Sequence, residues 1–281
     1  MKLATLRNAD GTTEAVRIDG TTATRLGASD VGSLLSQPVW RDSAETAAGA
    51  TVDLGDAAYA PVVTRPGKVV CVGLNYRNHI LEMGRDLPEF PTLFSKFADT
   101  LIGAHDDIQR PVETDELDWE CELAVVIGAT VRRATTAEAE AAIAGFATLN
   151  DITARDWQFR TREWLQGKNW EATTPVGPWL VTPDELPGGV RPTLAIRTEI
   201  DGEVVQEDST GDLLFDPVAL VEYVSTMITL RPGDLIATGT PGGVGHARKP
   251  ARYLTAGQKV VTEVEGLGRC ENVVVDDGPR R

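Results

Sequence analysis

The 281-residue chain carries 27 basic and 42 acidic side chains, a formal net charge of −15, and is 42% hydrophobic and 25% charged. That is an ordinary soluble globular composition with enough length for a large core. The acidic balance argues against a phosphate-backbone binder, which needs a basic face. The three cysteines, Cys71, Cys121 and Cys270, include no CxxC pair, which argues against a disulfide scaffold or a zinc ribbon. The start, MKLATLRNADG, lacks the apolar core of a signal peptide. No apolar run approaches the ~20 residues of a membrane span. A cytoplasmic protein with no membrane contact is expected.

In chain order, the first residues are short β-like pieces broken at Asp10-Gly11 and Asp19-Gly20, both suited to hairpin turns. The stretch QPVWRDSAETAAGATVDLGDAAYAP then shows no clear periodicity, and Pro61 and Pro66 bracket a boundary. KVVCVGLNY and DWECELAVVIG read as strands. TTAEAEAAIAGF reads as a helix, with a Thr135–Glu138 capping box and Gly145 as its stop. GFATLND reads as a strand ending at Asp151, and LAIRTEIDGEVVQE as a hairpin turning at Asp201-Gly202. FDPVALVEYVSTMITL predicts a helix capped by Asp216, with Pro217 first and Leu220, Val221, Val224 and Ile228 on its apolar face. GDLIATGTPGGVG is a strand entering a glycine-rich loop. Strands outnumber helices without a βαβ rhythm, which argues against a TIM barrel or Rossmann sheet. The expected protein is a β-rich α+β chain, with a small β-rich N-terminal domain over 1–65 and a larger domain over 66–281.

The strand DWECELAVVIG poses a chemical question. Alternate strand residues share a face, so Glu120 and Glu122 point one way and Cys121 and Leu123 the other. Both faces turn apolar further on, so the carboxylates sit near a buried end. Two like charges roughly 7 Å apart on one face repel, and a divalent cation with oxygen ligands relieves that. Asp151, at the end of another predicted strand, is the best third ligand. Three carboxylates plus waters suit Mg²⁺ or Mn²⁺. The alternative is that Glu120 and Glu122 are solvated, or paired with Arg or Lys.

GLNYRNHILE places His79 and Glu82 three apart, on one face of a helical turn. A carboxylate beside an imidazole sets its tautomer and raises its basicity, as a general base requires; a surface contact is the alternative. The loop GTPGGVGHARK lacks the spacing of a phosphate loop, although its N–H groups can receive a carboxylate.

With these stretches in view, the sequence resembles the fumarylacetoacetate hydrolase family. The resemblance runs from about Lys68 to the C-terminus. It is carried by GLNYRNHILE, FSKFADTLIG, DWECELAVVIG, LNDITARDWQ, GKNW, PVGPWLV, RPGDLIATGTPGGVG and LGRCENVV, in that order. It implies a mixed β-sandwich roll for the catalytic domain, a homodimer, and a Mg²⁺ or Mn²⁺ site built from Glu120, Glu122 and Asp151. It also implies a water-activating His79–Glu82 dyad on a lid, and Lys168 near the substrate carboxylate. Arg155 and Gln158 would orient substrate or water, Thr240 would hold the substrate's carboxylate end, and Tyr76 falls among the substrate-binding residues. Lys96 is either structural or at the entrance.

The implied substrate is a 2-oxo acid. The lead expectation is hydrolysis of a 2,4-dioxo acid (an acylpyruvate such as fumarylpyruvate) by water activated at the dyad. Decarboxylation of oxaloacetate or a related 2-oxo diacid, or isomerisation of a 2-hydroxy-dienedioate, uses the same core set. Specificity is expected from MGRDLPEFP and from QFRTREWLQG, where Arg160, Arg162 and Trp164 could meet a second carboxylate.

Overall fold

A computed structural model describes residues 1–278 apart from positions 56, 83 and 85, with the backbone alone at Glu82. It is a mostly β protein with mixed sheets and few helices. The large sheet is 11-stranded, and its main path starts at Thr51–Asp53 and ends at Thr92–Lys96. The N-terminal strands form its first part through two hairpins. These turn where expected, with Gly11 at φ +83° and Gly20 at φ +74°, a region open to glycine. Strand Lys2–Arg7 then pairs with Thr174–Val181, so the sheet runs unbroken from the 1–65 segment into the rest of the chain. The aperiodic stretch holds a short helix, Trp40–Thr46, with no side-chain N-cap, which is why its start carried no signal.

A five-stranded sheet, containing the Ala195–Ile200/Glu203–Ser209 hairpin and strands Lys259–Val264 and Gly268–Asp276, packs on one face of the large one. Strand Cys121–Ile127 lies at the centre and divides two cores. Cys121, Leu123, Val125 and Ile127 join Ile196, Val264 and the helix residues Val221 and Val224. Ala124 and Val126 face Leu34, Leu35 and Val62 on the other side. Both faces are apolar beyond the first residues, so a charge on this strand can survive only at its start.

Two expectations are corrected. The Thr135 capping box forms, but its helix ends at Ala142 and strand Ile143–Asn150 follows without a loop. Gly145 therefore lies inside a strand, where an added Cβ would sit 2.3 Å from the Val181 carbonyl oxygen; it permits close strand approach and is no helix stop. The Pro217–Met227 helix has its Asp216 cap, but Ile228 lies past its end and is 43% exposed. Among the described residues no helix is long and apolar enough to cross a membrane.

Candidate active site

Antiparallel pairing of Cys121–Ile127 with Ile143–Asn150 brings the start of one strand beside the end of the other, with Cys121 opposite Asn150. The pairing extends one step further. Asp151 N–H donates to the Glu120 carbonyl at 2.8 Å, and Glu120 N–H donates to Asn150 Oδ1 at 2.9 Å. Carboxylate oxygens of Glu120, Glu122 and Asp151 consequently lie within 4.8 Å of one another, all three side chains buried. Cys121 turns away, its Sγ directed at the Glu263 carbonyl.

Three cations surround this cluster. Lys168 Nζ lies 2.6 Å from Glu120 Oε2 and 2.8 Å from Asp151 Oδ2. Lys96 Nζ lies 2.8 Å from Asp151 Oδ1 and donates to the Ile152 carbonyl at 3.1 Å. Arg155 reaches Glu120 Oε1 through Nη2 at 2.7 Å, Asp118 Oδ2 through Nε at 2.8 Å and Gln158 through Nη1 at 2.9 Å. Lys168 ends the short helix Leu165–Lys168, packed so tightly on helix Arg155–Gln158 that a Cβ at Gly167 would meet Gln158 atoms at 2.5 Å. That contact explains the glycine in QGK and sets the reach of the lysine.

Burial alone would neutralise these groups. It pushes the Lys168 amine down, but Asp151 and Glu120 outweigh it and hold the pKa well above its ordinary value, so Lys168 stays an ammonium. Burial pushes Asp151 up, but Lys168 and Lys96 hold it below the usual carboxylate range. Glu122 is the exception. Burial, then Asp151 and Glu120, raise its carboxyl well above the usual range. Its Oε2 accepts from Gly239 N–H at 2.8 Å, and no cation pairs with it among the described residues. Four carboxylates, with Asp118 counted, thus face three cations, and Glu122 is the one left without a counter-charge, beside two potential ligands. This donor set, all oxygen and one charge short, fits a hard divalent cation such as Mg²⁺ or Mn²⁺.

Glu120 and Glu122 form the floor of a cleft of about 310 Å³, with Asp151 buried outside its lining. Helix Arg77–Glu82 brings His79 into the lining. The Glu82 side chain lies outside the described residues, and with it the expected dyad contact. Gln158, Thr240 and Lys168 also line the cleft. Thr240 Oγ1 donates to the Cys121 carbonyl and accepts from Gln206 Nε2, each at 2.9 Å, so its hydroxyl is already fixed. Arg155 lines the cleft, but its guanidinium is engaged with Asp118, Glu120 and Gln158; in this structure it positions those groups.

Tyr76 departs from expectation. It is fully buried in the core with Cys121, Leu123 and Leu213 and does not line the cleft. Arg160 and Arg162 do not line it either, and the Arg160 guanidinium sits 3.4 Å over the Trp157 ring. Trp164 does form a wall, so close that a Cβ on Gly73 would meet its ring at 2.4 Å. Asp118, which accepts from the Gly245 and His246 N–H groups, is a further site residue that the sequence reading does not single out. The alternation that singled out Glu120 and Glu122 reaches back to it. Gln206 carried no signal, sitting in an ordinary hairpin.

A mixed β roll holding three clustered, buried carboxylates, two of them in the lining of a cleft shared with a histidine, defines an enzyme class. A model of the fumarylacetoacetate (FAA) hydrolase C-terminal family matches residues 68–275, and the chain belongs to that family. It is similar to the rat (Rattus norvegicus) protein named oxaloacetate tautomerase Fahd2a, mitochondrial: 44% identical over 214 residues, 76% of this chain and 68% of that one. Among solved structures it resembles fumarylacetoacetate hydrolase from psychrophilic Exiguobacterium antarcticum, with TM-score 0.86 and 30% identity over 99% of this chain and 100% of that one. It also resembles 5-carboxymethyl-2-hydroxymuconate delta-isomerase from Mycobacterium smegmatis, with TM-score 0.81, 33% identity and the same coverage.

Proposed function

We propose that this chain is a tautomerase of 2-oxo acids that interconverts their keto and enol forms, with the four-carbon diacid oxaloacetate as the best-fitting substrate. The observation that carries the reading is the buried carboxylate cluster, whose Glu120 and Glu122 share one cleft with His79, in a chain 44% identical to a protein named oxaloacetate tautomerase. A divalent cation held by Glu120, Glu122 and Asp151 would supply Lewis-acid polarisation of the substrate's ketone.

The residues of the chain divide the remaining work. Asp151 and Glu120 favour the ammonium form of Lys168, which suits it to donate a hydrogen bond. Two of its three N–H bonds are taken by Glu120 and Asp151, and the third can donate to the oxygen on which charge develops. His79 takes the proton as the C3–H bond breaks and returns it to the C2 oxygen, so no water is consumed. Leu74, Phe94 and Trp164 keep the cleft walls apolar, which strengthens each of these charges.

Acylpyruvate hydrolysis, the lead expectation from sequence, ranks second. It is supported by the family's hydrolase name and by the likeness to fumarylacetoacetate hydrolase, and it needs a placed water in addition. Decarboxylation shares the enolising step. The test follows the ultraviolet absorbance of enol-oxaloacetate with Mg²⁺ or Mn²⁺ present and couples any pyruvate formed to a dehydrogenase. Keto–enol equilibration should accelerate without pyruvate release and fall by roughly 100-fold or more in His79→Ala. Pyruvate release from acylpyruvates with no effect on equilibration would overturn the proposal in favour of hydrolysis.

A further inference from the structure

A 2-oxo diacid brings a second carboxylate into the cleft, and the floor cannot receive it. Lys168 and Arg155 are committed to Glu120, Asp151 and Asp118. Arg160 is stacked on Trp157, and neither it nor Arg162 lines the cleft. His79 has the proton transfer. Among the described residues one ionisable group remains in the lining, His246, at the exposed mouth.

This histidine is held in place. Its backbone N–H donates to Asp118 Oδ2 at 3.0 Å, tying the loop to the carboxylate that grips Arg155. Its ring lies 5.1 Å from that of Phe159, and its Nδ1 is 2.9 Å from the Tyr253 hydroxyl. Burial, and then the nearby Glu116 carboxylate, raise the Tyr253 phenol above its ordinary pKa, so it keeps its hydrogen. The phenol has one hydrogen. Donated to His246 Nδ1, it leaves the ring's own hydrogen on Nε2, where it can meet a ligand oxygen.

We propose that His246 is a specificity residue that binds the distal carboxylate of a 2-oxo diacid through Nε2–H, while Tyr253 fixes the ring. The inference deepens the tautomerase reading and rests on it for the substrate class. Its test is independent of turnover. The full chain loaded with Mn²⁺ is titrated calorimetrically with malate and with 2-hydroxybutyrate, stable 2-hydroxy acids that differ by a distal carboxylate in place of a methyl group. The wild type should prefer malate by roughly tenfold or more, the value of one charge-assisted hydrogen bond. His246→Ala should lose that preference, Tyr253→Phe should lose part of it, and His246→Arg, which keeps N–H donors at that place, should retain it. A merely structural histidine would weaken both ligands equally and would not be rescued by arginine. Equal binding of the two acids by the wild type, binding of neither, or an unchanged preference in His246→Ala each overturns the assignment. Failure of oxaloacetate equilibration with this preference intact would sink the tautomerase reading alone.

Discussion

Glu122 is the side chain on which the cation site turns. Glu120 and Asp151 have ammonium or guanidinium partners, whereas Glu122 has a backbone N–H and two repelling carboxylates. A buried charge without a counter-charge costs stability, so its neutral isostere should be tolerated in the cation-free protein. With a chelator present, Glu122→Gln is expected to be neutral or stabilising by about 1–2 kcal/mol. With Mn²⁺ at a hundred times its Kd, the wild type should gain about 2.7 kcal/mol and the variant little. Thermal denaturation with and without Mn²⁺ checks both signs. A variant less stable than wild type in chelator, or equally stabilised by Mn²⁺, would refute the charge argument. The sequence made Glu120, Glu122 and Asp151 legible because strand alternation and strand ends are local patterns. It left open whether those glutamates pair with lysine or arginine, and Glu120 pairs with both. Lys96 and Lys168 lie far from their partners in sequence, and only the sheet brings them together. Tyr76 misled because a motif neighbour of the cleft can point into the core.

Elements with chemical punctuation were readable, and those defined by distant packing were not. The hairpins at Asp10-Gly11, Asp19-Gly20 and Asp201-Gly202 and the caps at Thr135 and Asp216 each rest on a few adjacent residues, and each is present. Gly145 looked like punctuation of the same kind, but its reason lies in the neighbouring strand, at Val181. The two readings predict opposite outcomes for Gly145→Ala. A glycine that merely ends a helix at positive φ would leave its strand neighbours undisturbed when replaced, and Gly145 has no such φ. A Cβ 2.3 Å from the Val181 carbonyl must push Ile143–Asn150 away from Thr174–Val181, an overpacking cost of about 1–3 kcal/mol. Because the displaced strand ends at Asn150 and leads directly into Asp151, the same substitution should also weaken Mn²⁺ binding. Urea unfolding and a Mn²⁺ titration measure the two effects. An unchanged unfolding midpoint would return Gly145 to a local role.

Across the whole molecule, the two ends of the large sheet are treated differently. The strand Thr51–Asp53 at one end is three residues long and polar on both outer positions, a form that discourages edge pairing. At the other end, Thr92–Lys96 is longer, is paired on one side only among the described residues, and borders a groove that Phe97 and Met227 line at 54% and 55% exposure. Phe90 and Tyr223 stack alongside. An unguarded edge beside clustered apolar side chains is a surface that a partner covers, and the homodimer implied by the family resemblance supplies one. We propose that a second copy of the chain packs here. The edge strand ends in Lys96, whose ammonium holds Asp151, so such a contact would brace the cation cluster from behind. Light scattering at micromolar concentration should then return twice the 30.2 kDa chain mass. Phe97→Asp combined with Met227→Glu should return a monomer whose melting temperature rises less on adding Mn²⁺ than that of the wild type. A wild-type monomer, or a dimer indifferent to both substitutions, would place the interface elsewhere and leave Lys96 to hold Asp151 unaided.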